Sequence, residues 1–386
     1  MTIDDLPPLA LYVHFPWCVQ KCPYCDFNSH AVDAGGVPEE VYLAALLADL
    51  EHALPQLSGR ALASVFLGGG TPSLFSPSGL ERLLAGIRTR LPLPADAEIT
   101  LEANPGAFRE HLAEAEYIGF RQTGINRISL GIQSFNAAHL AALGRIHGRA
   151  EALRAAELAA RHFATRNFDL MYGLPQQTLA EALADLETAL RFAPTHLSCY
   201  QLTVEAHTRF SACPPQLPDA DLCADMGDAI EARLLAAGFR HYETSAFALP
   251  GHMCRHNRNY WEFGDYLGIG AGAHGKLTFP DGRILRQMRW KHPEAYLRHV
   301  AAGDPVQEEH AIPVTERPIE FLMNALRLTE GFDPTLFSKR TGLPLTSILP
   351  TLEAAAREGW LKIDATRIIP EKQGQHFLNR LLERFL

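Results

Sequence analysis

Short apolar runs alternate with amphipathic stretches over the first two hundred residues. Leu9 to His14 reads as a first strand, and it runs directly into a cysteine-bearing loop. Glu39 to Leu54 places Val41, Leu43, Leu46, Leu47 and Leu50 on one helical face, with Pro38 at a first-turn position. Ala63 to Leu67 is the next strand, and the unit then repeats. The pattern predicts helices over Ser78 to Leu91, Glu110 to Ile118, Arg149 to Ala160 and Leu179 to Arg191. Between and after them it predicts strands over Glu98 to Glu102, Arg127 to Leu130, Asn167 to Met171 and Thr195 to Gln201. Six strands alternating with helices form a parallel sheet. They are too few to close the usual eight-stranded barrel. The expected core is an α/β fold, an incomplete parallel (β/α)6 barrel whose open side admits a large substrate.

After Gln201 the character changes. Ser211 to Asp219 is proline-rich, a helix is expected over Asp221 to Ala237, and Met253 to Trp261 concentrates His256, two asparagines, two arginines and two aromatics. The glycine-rich run Leu267 to Gly275 reads as another strand, with His274 as a loop histidine. From Ile312 onward three helices and an alternating hairpin, Gly359 to Pro370, have the form of a winged helix. The expected domains are 1–245 for the barrel, 246–305 for an extension, and 306–386 for a small winged-helix-like α+β domain.

Composition narrows the class. The chain is 47% hydrophobic and 20% charged with a net charge of -9, so no bulk attraction draws it to nucleic acid or an anionic surface. The segment from Val300 to Leu386 holds 10 basic and 12 acidic residues, which argues against a DNA-reading wing and for a docking or lid role. No apolar run reaches the length of a membrane span, and the acidic, proline-broken start Met1 to Pro8 lacks the features of a secretory signal. Seven cysteines without a framework spacing fit a reducing, cytoplasmic setting.

Three of those cysteines carry the chemistry. Cys18, Cys22 and Cys25 stand in a C-x3-C-x2-C loop with no fourth cysteine nearby, a set that suits a cubic iron-sulfur cluster with one iron left open. A zinc knuckle completed by His14 or His30, or three unconnected thiols, is the alternative. Other polar residues fall at the ends of successive strands: Gly68-Gly69-Gly70-Thr71, Glu102 with Asn104, Gly131 with Gln133, Asp169, and Gln201 with Thr203. The C-terminal rim of a β/α barrel collects catalytic groups, so their shared position makes one site. Singly, Glu102 reads equally as a helix cap, Asp169 as a turn residue and Gln133 as a loop residue.

The cysteine loop with Tyr24 before its last thiol, followed by Gly68-Gly69-Gly70-Thr71-Pro72, resembles the radical S-adenosylmethionine superfamily. Gly131-Ile132-Gln133-Ser134-Phe135, Leu143-Gly144-Arg145-x-His147 and Asp169 to Pro175 resemble its oxygen-independent coproporphyrinogen oxidase branch. His256-Asn-x-x-Tyr260-Trp261 is similar to the related haem chaperones. Two departures favour the chaperones over the oxidases. Phe27 stands where the oxidases carry a further cysteine, and only 17 residues precede Cys18 where they carry a longer arm.

The resemblance implies a 4Fe-4S cluster on Cys18, Cys22 and Cys25, with S-adenosylmethionine on its open iron. Gly69, Gly70 and Thr71 would meet the methionine amino group, and Tyr24 would flank the adenine. Glu102, Gln133, Arg145 and Asp169 would hold the ribose and carboxylate, and Tyr12 is a weaker member of the set. His256 is expected as an axial haem ligand, with Tyr260 and Trp261 packing on the porphyrin and Arg255 or Arg258 meeting its propionates. The implied partners are haem, haem-accepting respiratory proteins reached by transient membrane contact, and a reductant of flavodoxin or ferredoxin type. Oxidative decarboxylation of coproporphyrinogen III, or radical chemistry on another substrate, is the competing expectation.

Overall fold

The computed structural model describes residues 6–33, 35–107 and 113–386. The repeating unit unfolds as β1 (Leu9–Phe15), α1 (Glu39–Leu57), β2 (Leu62–Gly69), α2 (Pro77–Arg88), β3 (Glu98–Ala103) and α3 (Ala113–Gln122). It continues as β4 (Arg127–Gln133), α4 (Arg149–His162), β5 (Thr165–Tyr172), α5 (Leu179–Leu190) and β6 (His196–Gln201). The expected start of the third helix at Glu110 lies outside the described residues. Local chemistry sets several boundaries. The Ser76 hydroxyl accepts from the Gly79 amide at the head of α2, and Thr178 and Glu181 form a reciprocal capping box on α5.

Downstream lie α6 (Ala220–Ala236), β7 (Arg240–Glu243), β8 (Ala246–Ala248), α7 (Arg255–Trp261), β9 (Asp265–Ile269), β10 (His274–Thr278), β11 (Ile284–Arg289), α8 (Pro293–Ala301) and β12 (Val306–Ala311). All strands named so far belong to one open, 12-stranded sheet in the order β12-β11-β10-β9-β1-β2-β3-β4-β5-β6-β8-β7. The parallel part is longer by one strand than the six expected. Asp265–Ile269 comes from the glycine-rich region and lies parallel to β1, pairing Tyr12 with Gly268. Antiparallel strands flank the parallel run on both sides. The last strand, β12, carries this sheet to Ala311.

Strand alternation sorts the side chains into two layers. Val13, Leu67, Leu101, Leu130, Phe168 and Leu197 point outward into one continuous core with the helices. Their neighbours Tyr12, Ser64, Glu102, Arg127, Asn167 and His196 point inward, so the barrel lumen is polar. Hydrogen bonds offset the cost of burying most of them, while Arg127 leaves its Nε unpartnered and lies in the field of Glu98 and Asp169. The Asn167 amide donates to Ser129 Oγ and Asp169 Oδ1, both at 2.8 Å, and its oxygen meets His196 Nδ1 at 2.6 Å.

The C-terminal unit consists of α9 (Arg317–Ala325), α10 (Pro334–Thr341), α11 (Leu349–Arg357) and the hairpin β13 (Leu361–Ile363) with β14 (Ile368–Pro370), followed by short helical turns. It has its own core around Ile312, Phe321, Phe337, Leu352 and Ile368, which also takes in Phe263 and Ile284 from the barrel extension. Among the described residues no helix is long and apolar enough to cross a membrane.

Candidate functional site

The three cysteines lie just past β1, on a loop whose two ends are pinned together. Trp17–Cys18 pairs in parallel with His30–Ala31, and the Val32 amide donates to Cys18 O at 2.9 Å. All three thiols are free of disulfides and partly exposed. Thr71 Oγ1 donates to Cys18 Sγ at 3.4 Å, and the Arg145 guanidinium donates to Cys22 Sγ at 3.6 Å. Sulfur here already accepts hydrogen bonds from the far side of the rim.

Among the described residues no three His, Cys, Asp or Glu side chains converge on one ion. His14 is bonded to Tyr12 and to Asn28 O, whereas His30 packs edge-on against His292 and leaves its Nε2 buried without a partner. A cubic cluster takes one thiolate per iron, and three thiols on one loop supply three of its four corners. Arg145 adds a further sign of fit, because its Nε is buried and has no partner.

The glycine run serves packing first. A Cβ on Gly70 would lie 2.5 Å from Trp17 O and 2.8 Å from Phe15 O, and one on Gly69 would lie 2.6 Å from the His14 imidazole. Gly69 also holds a φ of +113°, outside the range ordinary residues adopt. The Gly70 amide donates to Phe15 O and the Thr71 amide to Trp17 O, both at 2.7 Å, while the Gly69 amide donates to Glu102 Oε2 at 3.0 Å. All three amides are spent within the protein.

Glu102 faces the lumen between that loop and Asp169. Burial, with the Asp169 charge adding to it, pushes its carboxyl up to about 8. Asp169 is also raised by burial, although Asn167, Ser198, Arg127 and Ser129 oppose the shift. Two carboxyls therefore share a desolvated wall of the lumen.

Gln133 is no ordinary loop residue. Its φ is +69°, and the pairing of β4 with β5 shifts register between Leu130 and Gln133, a bulge that turns the side chain back to the lumen. There its Oε1 accepts from the Tyr200 hydroxyl at 2.6 Å. Tyr200, absent from the sequence-derived set, follows from the alternation His196, Ser198, Tyr200 along β6. Arg145 is pinned to Gly131 O at 2.8 Å and to the Tyr24 hydroxyl at 3.3 Å. The Tyr24 ring is partly buried against Phe210, at 6.3 Å between centroids. His147, from the same motif, is structural: it bonds Ile132 O and Asn104, and burial holds its imidazole down at about 4.

His256 is placed differently from the expectation. It sits at the base of the lumen, where the Glu98 carboxylate at the start of β3 accepts from its backbone amide. Its Nδ1 meets Ser64 Oγ at 2.9 Å, its ring stacks on Phe66 at 4.9 Å, and it is only 2% exposed. Burial, with Arg127 second, lowers it to about 3. Its Nε2 is buried without a hydrogen-bond partner, so the imidazole is part of the floor of the lumen. The accompanying arginines are also occupied at this end: Arg255 donates to Asp96 O, and Arg258 pairs with Glu262. Trp261 lies beneath the Arg327 guanidinium, 4.4 Å away, and contributes to the join with the C-terminal unit.

Above this base, Tyr12, Phe27, Gly69, Glu102, Tyr266 and His274 line a cavity of about 300 Å³ that opens beside the glycine loop. Phe27 is 62% exposed at its edge.

A parallel β/α partial barrel with a three-cysteine loop on its C-terminal rim defines a radical S-adenosylmethionine protein, and the profile of the Radical SAM superfamily matches residues 12–189. The HemN C-terminal domain matches residues 312–377, the unit with its own core. The chain is 50% identical over 386 residues to the protein of Escherichia coli called "Heme chaperone HemW", covering 99% of each. It is 48% identical to the protein of that name from Haemophilus influenzae, covering 100% of this chain and 99% of the relative. Coproporphyrinogen III oxidase (HemN) from Escherichia coli superposes with a TM-score of 0.82 over 98% of this chain and 90% of that one; at 23% identity this likeness speaks to the fold. The chain belongs to the HemW family.

Proposed function

We propose that this chain is a cytoplasmic haem chaperone that holds a 4Fe-4S cluster and S-adenosylmethionine on its barrel rim, binds haem beside them, and passes it to apo-proteins of the respiratory chain. Phe27 carries the choice between chaperone and oxidase. It occupies the position of the oxidases' additional cysteine and stands exposed at the cavity edge, where a bulky apolar ring meets a macrocycle and supplies no thiol. The names of the full-length relatives support the same reading.

When bound, the cluster supplies an open iron for the amino and carboxylate groups of S-adenosylmethionine and a low-potential electron. The chain's own residues orient that ligand. With the amides of Gly69, Gly70 and Thr71 spent, the loop offers carbonyl oxygens, the acceptors an ammonium group needs. Glu102 accepts ribose hydroxyls, with Asp169, Gln133 and Tyr12 completing that wall. Arg145 has a spare buried donor for a carboxylate, and Tyr24 is fixed in orientation by Arg145 to flank the adenine. A flavodoxin- or ferredoxin-type reductant would dock at the exposed face of the cysteine loop. Transient contact with the membrane surface would bring acceptors within reach.

The test is an anaerobic incubation of reconstituted, full-length protein with reductant and S-adenosylmethionine, in parallel with haem plus an apo-acceptor and with coproporphyrinogen III. Haem transfer without porphyrinogen turnover is expected. Formation of protoporphyrinogen would overturn the chaperone reading in favour of the oxidase.

A further inference from the structure

We propose that His274 supplies the axial ligand for haem, seating the macrocycle at the mouth of the barrel beside the S-adenosylmethionine site. This rests on the haem-chaperone reading and names the ligand that reading needs. His274 begins β10, immediately after the glycine-rich turn Gly270 to Ala273. Its side chain is exposed, lines the cavity shared with Glu102 and Gly69, and makes no hydrogen bond. A neutral imidazole offers one unshared nitrogen pair to iron. Burial first, then Lys291 and Arg286, lowers the His274 pKa, and only Glu308 works the other way, which keeps that pair free at neutral pH.

The turn that presents His274 is tied down at every step. The Gly270 amide donates to Asp49 Oδ2 at 3.1 Å and the Ala271 amide to the Tyr42 hydroxyl at 2.9 Å. Asn28, three residues past Cys25, donates through Nδ2 to Ala271 O at 2.9 Å and Lys291 O at 2.8 Å. Gly272, with φ of +78°, leaves no room for a Cβ, which would lie 2.3 Å from Asn28 Nδ2. The backbone is thus fixed while the imidazole it carries keeps both ring nitrogens free of protein partners.

The surroundings suit a porphyrin. Tyr260 and Tyr266 pack together at 4.1 Å between centroids to form one aromatic wall, and Phe27 lines the same cavity from the cysteine loop. The cavity is at the small end of the ~300–1,000 Å³ range of ligand sites and its inner wall is the one given to S-adenosylmethionine, so the ring lies across the mouth at His274 and stays accessible for hand-over. Lys21, whose ammonium donates to Phe27 O at 3.0 Å, and Lys291 are cations placed for propionates at that open edge.

Ferric haem is titrated into full-length, cluster-reconstituted protein and followed by difference absorbance and electron paramagnetic resonance. His274→Ala should lose the histidine-ligated spectrum and weaken binding at least as much as the about 10- to 100-fold that loss of an outer-shell partner costs a metal site. His274→Cys should convert the spectrum to a thiolate-ligated one, and imidazole added to His274→Gly should restore the original; His256→Ala should leave spectrum and affinity intact. Retention of the cluster's absorbance shows that each variant is folded. If His274→Ala and His274→Cys bind haem with the wild-type spectrum and affinity, His274 is not the ligand while the chaperone reading stands. If the wild-type protein takes up no stoichiometric haem, the chaperone reading itself fails.

Discussion

The Arg145 guanidinium lies 3.6 Å from the Cys22 sulfur and 3.3 Å from the Tyr24 hydroxyl, joining the rim after β4 to the cysteine loop after β1. A fixed positive charge that donates to a sulfur proposed to hold the cluster would stabilise the more negative, reduced state. Replacing Arg145 with Gln should therefore lower the cluster's midpoint potential. A charged hydrogen bond worth about 1.5 kcal/mol corresponds to roughly 60 mV for one electron, which spectroelectrochemistry can resolve. An unchanged potential would show that the contact does not tune the cluster.

The cysteine loop and the glycine loop meet through Gly70. Alanine there would press its Cβ to 2.5 Å from one backbone carbonyl and 2.8 Å from another, and neither can step aside as a side chain would. Gly70→Ala should cost about 1–3 kcal/mol and reduce S-adenosylmethionine affinity at the same time. Denaturant unfolding together with isothermal titration checks both; wild-type values in each would refute the packing argument.

Glu102 gives a pH dependence with a definite sign. Its folded pKa of about 8 lies above the ordinary 4.5, so the folded state binds the proton more tightly across that interval. Its stabilising contribution is complete below pH 4.5 and is lost as pH rises towards 8, with a slope of up to about 1.4 kcal/mol per pH unit. Glu102→Gln cannot titrate. Its stability relative to wild type should therefore climb between pH 5 and 8 and level off above, as read from denaturant midpoints in the absence of ligand. A pH-independent difference would mean that the carboxyl is not held protonated.

Asp49 anchors the turn that carries His274. It is fully buried and accepts from Arg289 Nε at 2.9 Å, the Tyr296 hydroxyl at 2.9 Å and the Gly270 amide. Asp49→Ala leaves the Arg289 charge buried without its partner, which typically costs about 3–5 kcal/mol. Hydrogen exchange should quicken first at the Gly270 and Ala271 amides. Wild-type protection there would mean that the turn is held by Tyr42 and Asn28 alone.

Much of the parallel core was legible because outward-facing residues such as Val13, Leu67 and Leu130 make the strands read as apolar runs, and because each run ends where its polar rim residue begins. The rim set was legible for the same reason. The polar lumen was harder to see, since Arg127, Asn167 and His196 become compatible with burial only through partners on neighbouring strands. Gln133 shows the same limit at the level of one residue. Nothing local marks a positive φ for glutamine, and the bulge exists only in the pairing of β4 with β5.

The two histidines divide the problem. The sequence by itself put three thiols within eight residues on one loop, whatever the rest of the chain does. It also marked His256 as the conspicuous imidazole, since amides and aromatics crowd around it in the sequence. Only the tertiary structure decided that His256 belongs to the floor of the barrel and His274 to its mouth. Parallel pairing of Asp265–Ile269 with β1 delivers one end of the sheet extension to the rim, while the Glu98 carboxylate holds the helix bearing His256 at the base. Both placements depend on contacts between segments more than 150 residues apart, which no local pattern of residues encodes.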